Sequence, residues 1–250
     1  MNKKALTLTL SILPAILLAG SNTFAGETPH WGYEGNIGPQ HWSGLDSNYA
    51  LCGSGKNQSP TNLTNFVDAK LPKLNIKYGS NGSDVVNNGH TIQVNYQPGS
   101  TLVIDGDSFE LKQFHFHNPS ENRINGKSFP LEGHFVHADK NGNLAVIALM
   151  FEEGQINPVL DRFWKQMPEN KGGKYKLTKK VSARDLLPKN TDYYRYDGSL
   201  TTPPCTEGVR WFVMKQPVTI SKQQVKKFSH VMHHPNNRNV QPLNARLVLE

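Results

Sequence analysis

Cysteine is scarce: 250 residues carry two, Cys52 and Cys205. One pair is all they can form, and in an exported chain a single pair favours one disulfide. Long apolar runs are missing after the first 25 residues. The one run near the start, Ala5 to Ala19, is shorter than the ~20 residues that span a bilayer, and no cysteine follows it to carry a lipid. Lys3 and Lys4 precede it and Thr23-Phe24-Ala25 close it, the layout of a cleavable signal peptide over residues 1–25. Internal repeats, low-complexity tracts and interdomain linkers are absent too, so 26–250 reads as one domain, within the ~200–250 residues that all-β domains reach. A dense basic stripe is also lacking. The formal charge is +7, and +5 without the two leader lysines. Part of the excess lies in Asn170 to Lys180, NKGGKYKLTKK, which reads as a solvated loop rather than a nucleic-acid surface.

What is present is mostly strand. Thr91–Tyr96, Thr101–Asp105, Phe109–His117, Leu131–Asp139, Asn143–Phe151 and Arg210–Lys215 are β-branched or aromatic, and most are bounded by Gly, Asn, Asp or Pro. Asn141-Gly142 between two of them is a hairpin signal, which pairs the strands of His134 and Val146 antiparallel. Helix signals are few. Asn157 caps a segment with proline in its first turn, running to Met167; Ser221 caps another that Pro235 ends. His230 and His234 fall four apart on that last helix, a spacing that permits a surface metal.

The chemistry concentrates in QFHFHNPSEN, Gln113 to Asn122. Side chains alternate along a strand, so Gln113, His115 and His117 share one face while Phe114 and Phe116 turn to the core. A His-x-His pair alone is a weak signal. The segment LEGHFVHAD adds His134, with Glu132 and Val136 on its face and His137 on the other. Three neutral nitrogens with a fourth position left open form the catalytic zinc pattern. Gln113 and Glu132, each two residues before a histidine, can accept its second ring N–H and fix the tautomer. No His-Glu-x-x-His helix is present, which excludes that protease arrangement.

These segments, with HWGY at His30, NQSP at Asn57, NNGHTIQV at Asn87 and GSLTTPP at Gly198, occur in the order and spacing of the α-class carbonic anhydrases, which the chain resembles from His30 to QPLNAR near its end. The resemblance implies one twisted, mostly antiparallel sheet of about ten strands, near the usual upper size for an open sheet, with short peripheral helices. It implies reversible hydration of carbon dioxide to bicarbonate and a proton, one zinc ion on His115, His117 and His134, and water acidified on that ion to a pKa of about 7. Gln113, Glu132 and the Asn236 backbone carbonyl would orient the ligands. Thr201 would accept from the reactive hydroxide and donate to Glu121, which as an ionised acid can only accept. His90 would carry the proton out, near its ordinary pKa of about 6.5, along waters held by Tyr33, Asn88 and Gln93; the bulk of Thr91 would limit its swing. Val136, Val146, Leu200, Thr202 and Trp211 would line the substrate pocket. The resemblance also implies a Cys52–Cys205 disulfide, a periplasmic or secreted location, a homodimer as the assembly seen in relatives, and no nucleic-acid partner.

Three other readings meet obstacles in the sequence. A non-catalytic relative would lack ligands, and none is lacking. A zinc esterase or peptidase would need a free general base, and Glu121 is committed to Thr201. A passive zinc store would carry a histidine-rich tract, and there is none.

Overall fold

The structure, a computed structural model, describes residues 30–250; the expected signal peptide lies outside the described residues. In chain order the elements are helices α1 (Trp42–Leu45) and α2 (Leu51–Ser54), strands β1 (Asn62–Leu63), β2 (Asn75–Tyr78), β3 (Gly82–Asn87), β4 (Ile92–Tyr96), β5 (Ser100–Ile104), β6 (Asp107–His117), β7 (Arg123–Ile124), β8 (Leu131–Ala138) and β9 (Leu144–Glu153), helix α3 (Pro158–Trp164), strands β10 (Lys174–Lys176), β11 (Tyr193–Ser199), β12 (Glu207–Met214) and β13 (Val218–Ile220), and helix α4 (Lys222–Met232). Eleven strands form one sheet whose main path runs β10-β3-β4-β6-β8-β9-β12-β11, and β1 with β7 make a separate parallel pair. Within the large sheet β12 and β13 run parallel to β9, and the other pairs are antiparallel. The β8–β9 hairpin forms as the Asn-Gly signal predicts, with Gly142 at φ 85° in its turn.

Alternation decides the two faces. Phe114, Phe116, Phe135 and Ile147 turn to one side and pack with Phe163 and Trp164 of α3 and Phe228 of α4. Val146, Ala148, Trp211 and Val213 turn to the other. The helices are tied down by the expected caps. Asn157 Oδ1 accepts from the Val159 and Leu160 N–H groups, and Ser221 with Gln224 makes a capping box. The last helix ends earlier than the sequence suggests. Met232 is its final residue and His233 takes a left-handed cap at φ 65°, so His234 stands outside the helix and the four-residue spacing with His230 no longer places both on one helical face.

His137 is buried on the opposite face of β8 from His134. Its Nδ1 lies 3.1 Å from the Ala145 carbonyl and its Nε2 2.7 Å from the Tyr78 hydroxyl. Burial pushes its pKa down to about 4. In the unfolded chain a histidine titrates near 6.5, so below that pH the unfolded state binds the extra proton. Stability that is complete above pH 6.5 is lost as pH falls toward the folded value, a contribution of about 3 kcal/mol. Urea unfolding of metal-free protein at pH 7 and pH 4 should show this increment in the wild type and not in His137→Gln. Equal pH dependence in both proteins would contradict it.

Candidate metal centre

The ladder between β6 and β8 sets His115 opposite His134, and His117 follows two residues along the same face. The ring centroids stand 5.0 Å (115 to 117), 5.3 Å (115 to 134) and 4.6 Å (117 to 134) apart. One nitrogen of each ring lies within 4.8 Å of one on each of the others. The second nitrogen of each is engaged. His115 Nδ1 lies 2.8 Å from Gln113 Oε1, His117 Nδ1 2.7 Å from the Asn236 carbonyl, and His134 Nε2 2.9 Å from Glu132 Oε1.

That leaves Nε2 of His115, Nε2 of His117 and Nδ1 of His134 grouped together. His117 Nε2 is buried with no hydrogen-bond partner, an arrangement that costs free energy unless a ligand fills the place. Burial first, and then neighbouring imidazoles, hold His115 and His134 well below the ordinary histidine range; burial also lowers His117. Neutral imidazole is the form that binds a metal. An orphaned nitrogen, three neutral donors and an acceptor behind each ring fit a metal ion.

Glu132 is fully buried and receives four donors. Oε2 accepts from the backbone N–H groups of Glu121 and Asn122 at 2.7 and 2.8 Å; Oε1 accepts from Asn122 Nδ2 at 2.7 Å and faces His134. Burial pushes its pKa up, and the Asn122 hydrogen bonds pull it back. Four donors and no acceptor around it match the ionised form.

Glu121 is buried as well. Its Oε1 accepts the Arg238 backbone N–H at 2.8 Å, and Oε2 has no partner. Burial raises its pKa well above the ordinary carboxylate range, with Glu132 adding to the rise; the Arg238 N–H, the nearby Thr201 hydroxyl and the Arg238 charge oppose it. Its oxygens lie 3.5 Å from His117 Nδ1 and 4.0 Å from His134 Nδ1. Thr201 is buried on the loop after β11, which the Cys52–Cys205 disulfide anchors. Arg238 is a residue that the sequence reading missed. Its buried guanidinium donates to Gln58 Oε1, Ser59 O and Cys52 O, which ties the Glu121 contact to the disulfide. No periodicity or motif marks this arginine in the loop after α4.

A cavity of about 130 Å³ opens above the histidines, lined among others by Tyr33, Asn88, His90, Gln93 and Thr202. Trp211 meets the His134 ring edge-on, with centroids 4.9 Å apart. Val146 and Trp211 are buried in one apolar cluster against which Val136 and Leu200 pack. The Thr91 hydroxyl donates to the Phe116 carbonyl of β6. Trp31, also missed in the sequence, stacks on His90 with centroids 3.8 Å apart and planes within 9°. Burial, then Lys171, His30 and His234, push His90 down to about 4, below the value near 6.5 expected of a shuttle. Trp31→Ala should therefore raise the His90 pKa toward 6.5 in an NMR titration of its ring protons. A value that stays at about 4 would contradict the role of the stack.

A sequence profile of the eukaryotic-type carbonic anhydrases matches residues 37–250. A carbonic anhydrase of Neisseria gonorrhoeae is 49% identical over 247 residues, covering 97% of this chain and 98% of that protein. One from Pectobacterium carotovorum is 48% identical over 242 residues, covering 97% and 98%. Among solved structures, the α-carbonic anhydrase of Thermovibrio ammonificans, in complex with the inhibitor sulfanilamide, superposes with a TM-score of 0.88 at 53% identity, over 89% of this chain and 99% of that one.

Proposed function

The chain belongs to the eukaryotic-type, or α, carbonic anhydrase family, and we propose that it hydrates carbon dioxide reversibly to bicarbonate and a proton with one zinc ion held by His115, His117 and His134. The observation that carries this reading is the trio of buried ring nitrogens, one of them orphaned, each ring backed by an acceptor. Held by these three neutral nitrogens, a zinc ion would acidify a water to a pKa of about 7 and so would supply a nucleophile at neutral pH.

The protein's own groups do the rest. Gln113, the Asn236 carbonyl and Glu132 hold the three rings in the tautomers that present the free nitrogens. A dication held by the three histidines would favour the charged form of Glu121, because a cation beside a carboxylate opposes the rise that burial causes. An ionised Glu121 only accepts, so Thr201 gives it the hydroxyl proton and keeps its own oxygen free to accept from an O–H group in the cavity. Thr202 lines the cavity, and Val136, Val146, Leu200 and Trp211, which pack together in the apolar cluster on the same face of the sheet as His134, would offer the apolar substrate an apolar surface. His90 takes the proton outward over waters ordered by Tyr33, Asn88 and Gln93, and must leave its stack on Trp31 to titrate near neutrality. A peptidase reading gains nothing from Glu121, whose Oε1 already accepts from the Arg238 backbone. Removal of residues 1–25 on export to the periplasm accounts for the leader and suits a disulfide-bonded chain.

The test is stopped-flow carbon dioxide hydration at low buffer. The zinc-loaded wild type should accelerate it strongly. His90→Ala should retain zinc and kcat/KM, lose kcat, and recover kcat with imidazole buffer. A zinc-loaded wild type with no hydration activity would sink the proposal; unchanged kcat in His90→Ala would sink only the shuttle.

A further inference from the structure

A polar chain crosses the cavity side of the sheet from Gln93 to the edge strand. Gln93 Nε2 donates to Asn95 Oδ1 at 2.7 Å, and Asn95 Nδ2 donates to Asp84 Oδ1 at 2.6 Å. Asp84 on β3 is the ladder partner of Asn95 on β4. Its Oδ2 takes the Ser83 hydroxyl at 2.6 Å, and Lys174 Nζ of β10 stands 3.3 Å from Oδ1.

An amide can be turned end for end, but this chain has one permitted direction. A carboxylate only accepts. Asn95 must therefore turn its NH2 toward Asp84, which leaves its oxygen for Gln93. Gln93 must in turn give its NH2 to Asn95. What remains of the Gln93 amide is its oxygen, at the end turned away from Asn95, and the second N–H; Gln93 lines the cavity together with His115 and His117.

We infer that Asp84 fixes the polarity of this cavity wall, holding the Gln93 amide so that ligands meet a hydrogen-bond acceptor there. Gln113, on the same wall, has the opposite sense. Its Oε1 is taken by the His115 ring N–H, so its NH2 is the half left over. The wall thus offers one acceptor and one donor. A ligand that carries both N–H and carbonyl groups, as a carboxamide does, matches it better than one with acceptors alone. Asp84 is a positioning residue, acting through Asn95. Burial works against its ionisation, but hydrogen bonds from Ser83, Asn95 and Lys174 prevail and hold its carboxyl below the ordinary range. The ligand preference rests on this cavity being the binding site of the proposed function; the amide orientation does not depend on the reaction.

Lys174 and Asn95 meet the same Asp84 oxygen, Oδ1, while Ser83 meets Oδ2. In Asp84→Asn the lysine therefore keeps the amide oxygen at the Oδ1 place, the new NH2 turns to the Ser83 hydroxyl, and the chain keeps its direction. Asp84→Leu removes the acceptor and with it the constraint. Neutron diffraction from deuterium-exchanged, metal-free crystals reads this directly. The Gln93 deuterons should face Asn95 in the wild type and in Asp84→Asn, and lose that single orientation in Asp84→Leu. Deuterons facing the cavity in the wild type, or the same single orientation in Asp84→Leu, would overturn the inference. In Asp84→Leu, which removes the acceptor altogether, hydrogen exchange of the Gln93 side-chain NH2 measured by NMR should quicken about tenfold, the worth of one ordinary hydrogen bond. Unchanged exchange would overturn it as well. Zinc content and hydration rates of the same proteins report separately on the proposed function.

Discussion

His134→Ala should bind zinc roughly 10³-fold more weakly or worse, and should lose carbon dioxide hydration with it. Zinc sites are worth about 10–16 kcal/mol in binding free energy, so an equal share for one of three ligands is roughly 3–5 kcal/mol, at 1.4 kcal/mol per tenfold. The loss is confined to the metal. His134 lies on β8 between β6 and β9, held by full ladders on both sides, and the far side of the strand keeps Phe135 in the core. Circular dichroism of the metal-free variant should therefore match the metal-free wild type. Glu132→Gln is the graded comparison. It keeps the shape behind His134 and removes the charge, and changes behind a metal ligand typically cost 10–100-fold. Equilibrium dialysis against a zinc buffer gives both values. Equal zinc affinity in His134→Ala and the wild type would remove this residue from the site.

The second large effect concerns Cys52–Cys205, which closes a separation of 153 residues. In the chain-entropy account a loop of that length stabilises by about 5 kcal/mol. Cys52→Ala with Cys205→Ala should lower the melting temperature by roughly 10–20 °C, at 2–4 °C per kcal/mol for a domain of this size. The same change should reach the site. Gln58 Nε2 donates to the Cys205 carbonyl, Arg238 donates to Gln58 and to the Cys52 carbonyl, and the Arg238 backbone holds Glu121. A folded double variant should thus lose kcat/KM while keeping stoichiometric zinc, since the three ligand rings keep their own acceptors, Gln113 Oε1, the Asn236 carbonyl and Glu132 Oε1. Differential scanning calorimetry checks the first part and stopped-flow rates below the transition check the second. A melting temperature within a few degrees of the wild type would contradict the stability argument.

β6 and β8, which carry the candidate metal site, are legible because their side chains alternate, and β9 is legible because LAVIALMF is one continuous apolar run; all three have bounds close to those expected. β2 and β10 are not legible, because NIKY is at most half-buried and KYK is wholly exposed. They are strands through pairing with β5 and β3, which no local pattern announces. The same division holds in the site. His115, His117, His134, Gln113 and Glu132 followed from a period of two on two strands. Arg238 did not, because it meets Glu121 across 117 residues of sequence and through its backbone N–H, which no side-chain pattern encodes. The shuttle candidate follows from a motif alone, and its depressed pKa comes from burial, with Trp31 stacked on the ring, and from Lys171, His30 and His234, neighbours that only the fold brings against it. The end of α4 was misread because Pro235 looked like the terminator, whereas His233 stops the helix first with a left-handed turn.

The most direct measurement is carbon dioxide hydration by the wild type after its metal is stripped with a chelator and zinc is returned in steps. The stripped protein should show no catalysis, and the rate should rise linearly with added zinc to a plateau at one equivalent per chain. Hydration that survives complete metal removal, or a protein that holds one zinc and leaves the hydration rate at that of buffer, would contradict the proposed function.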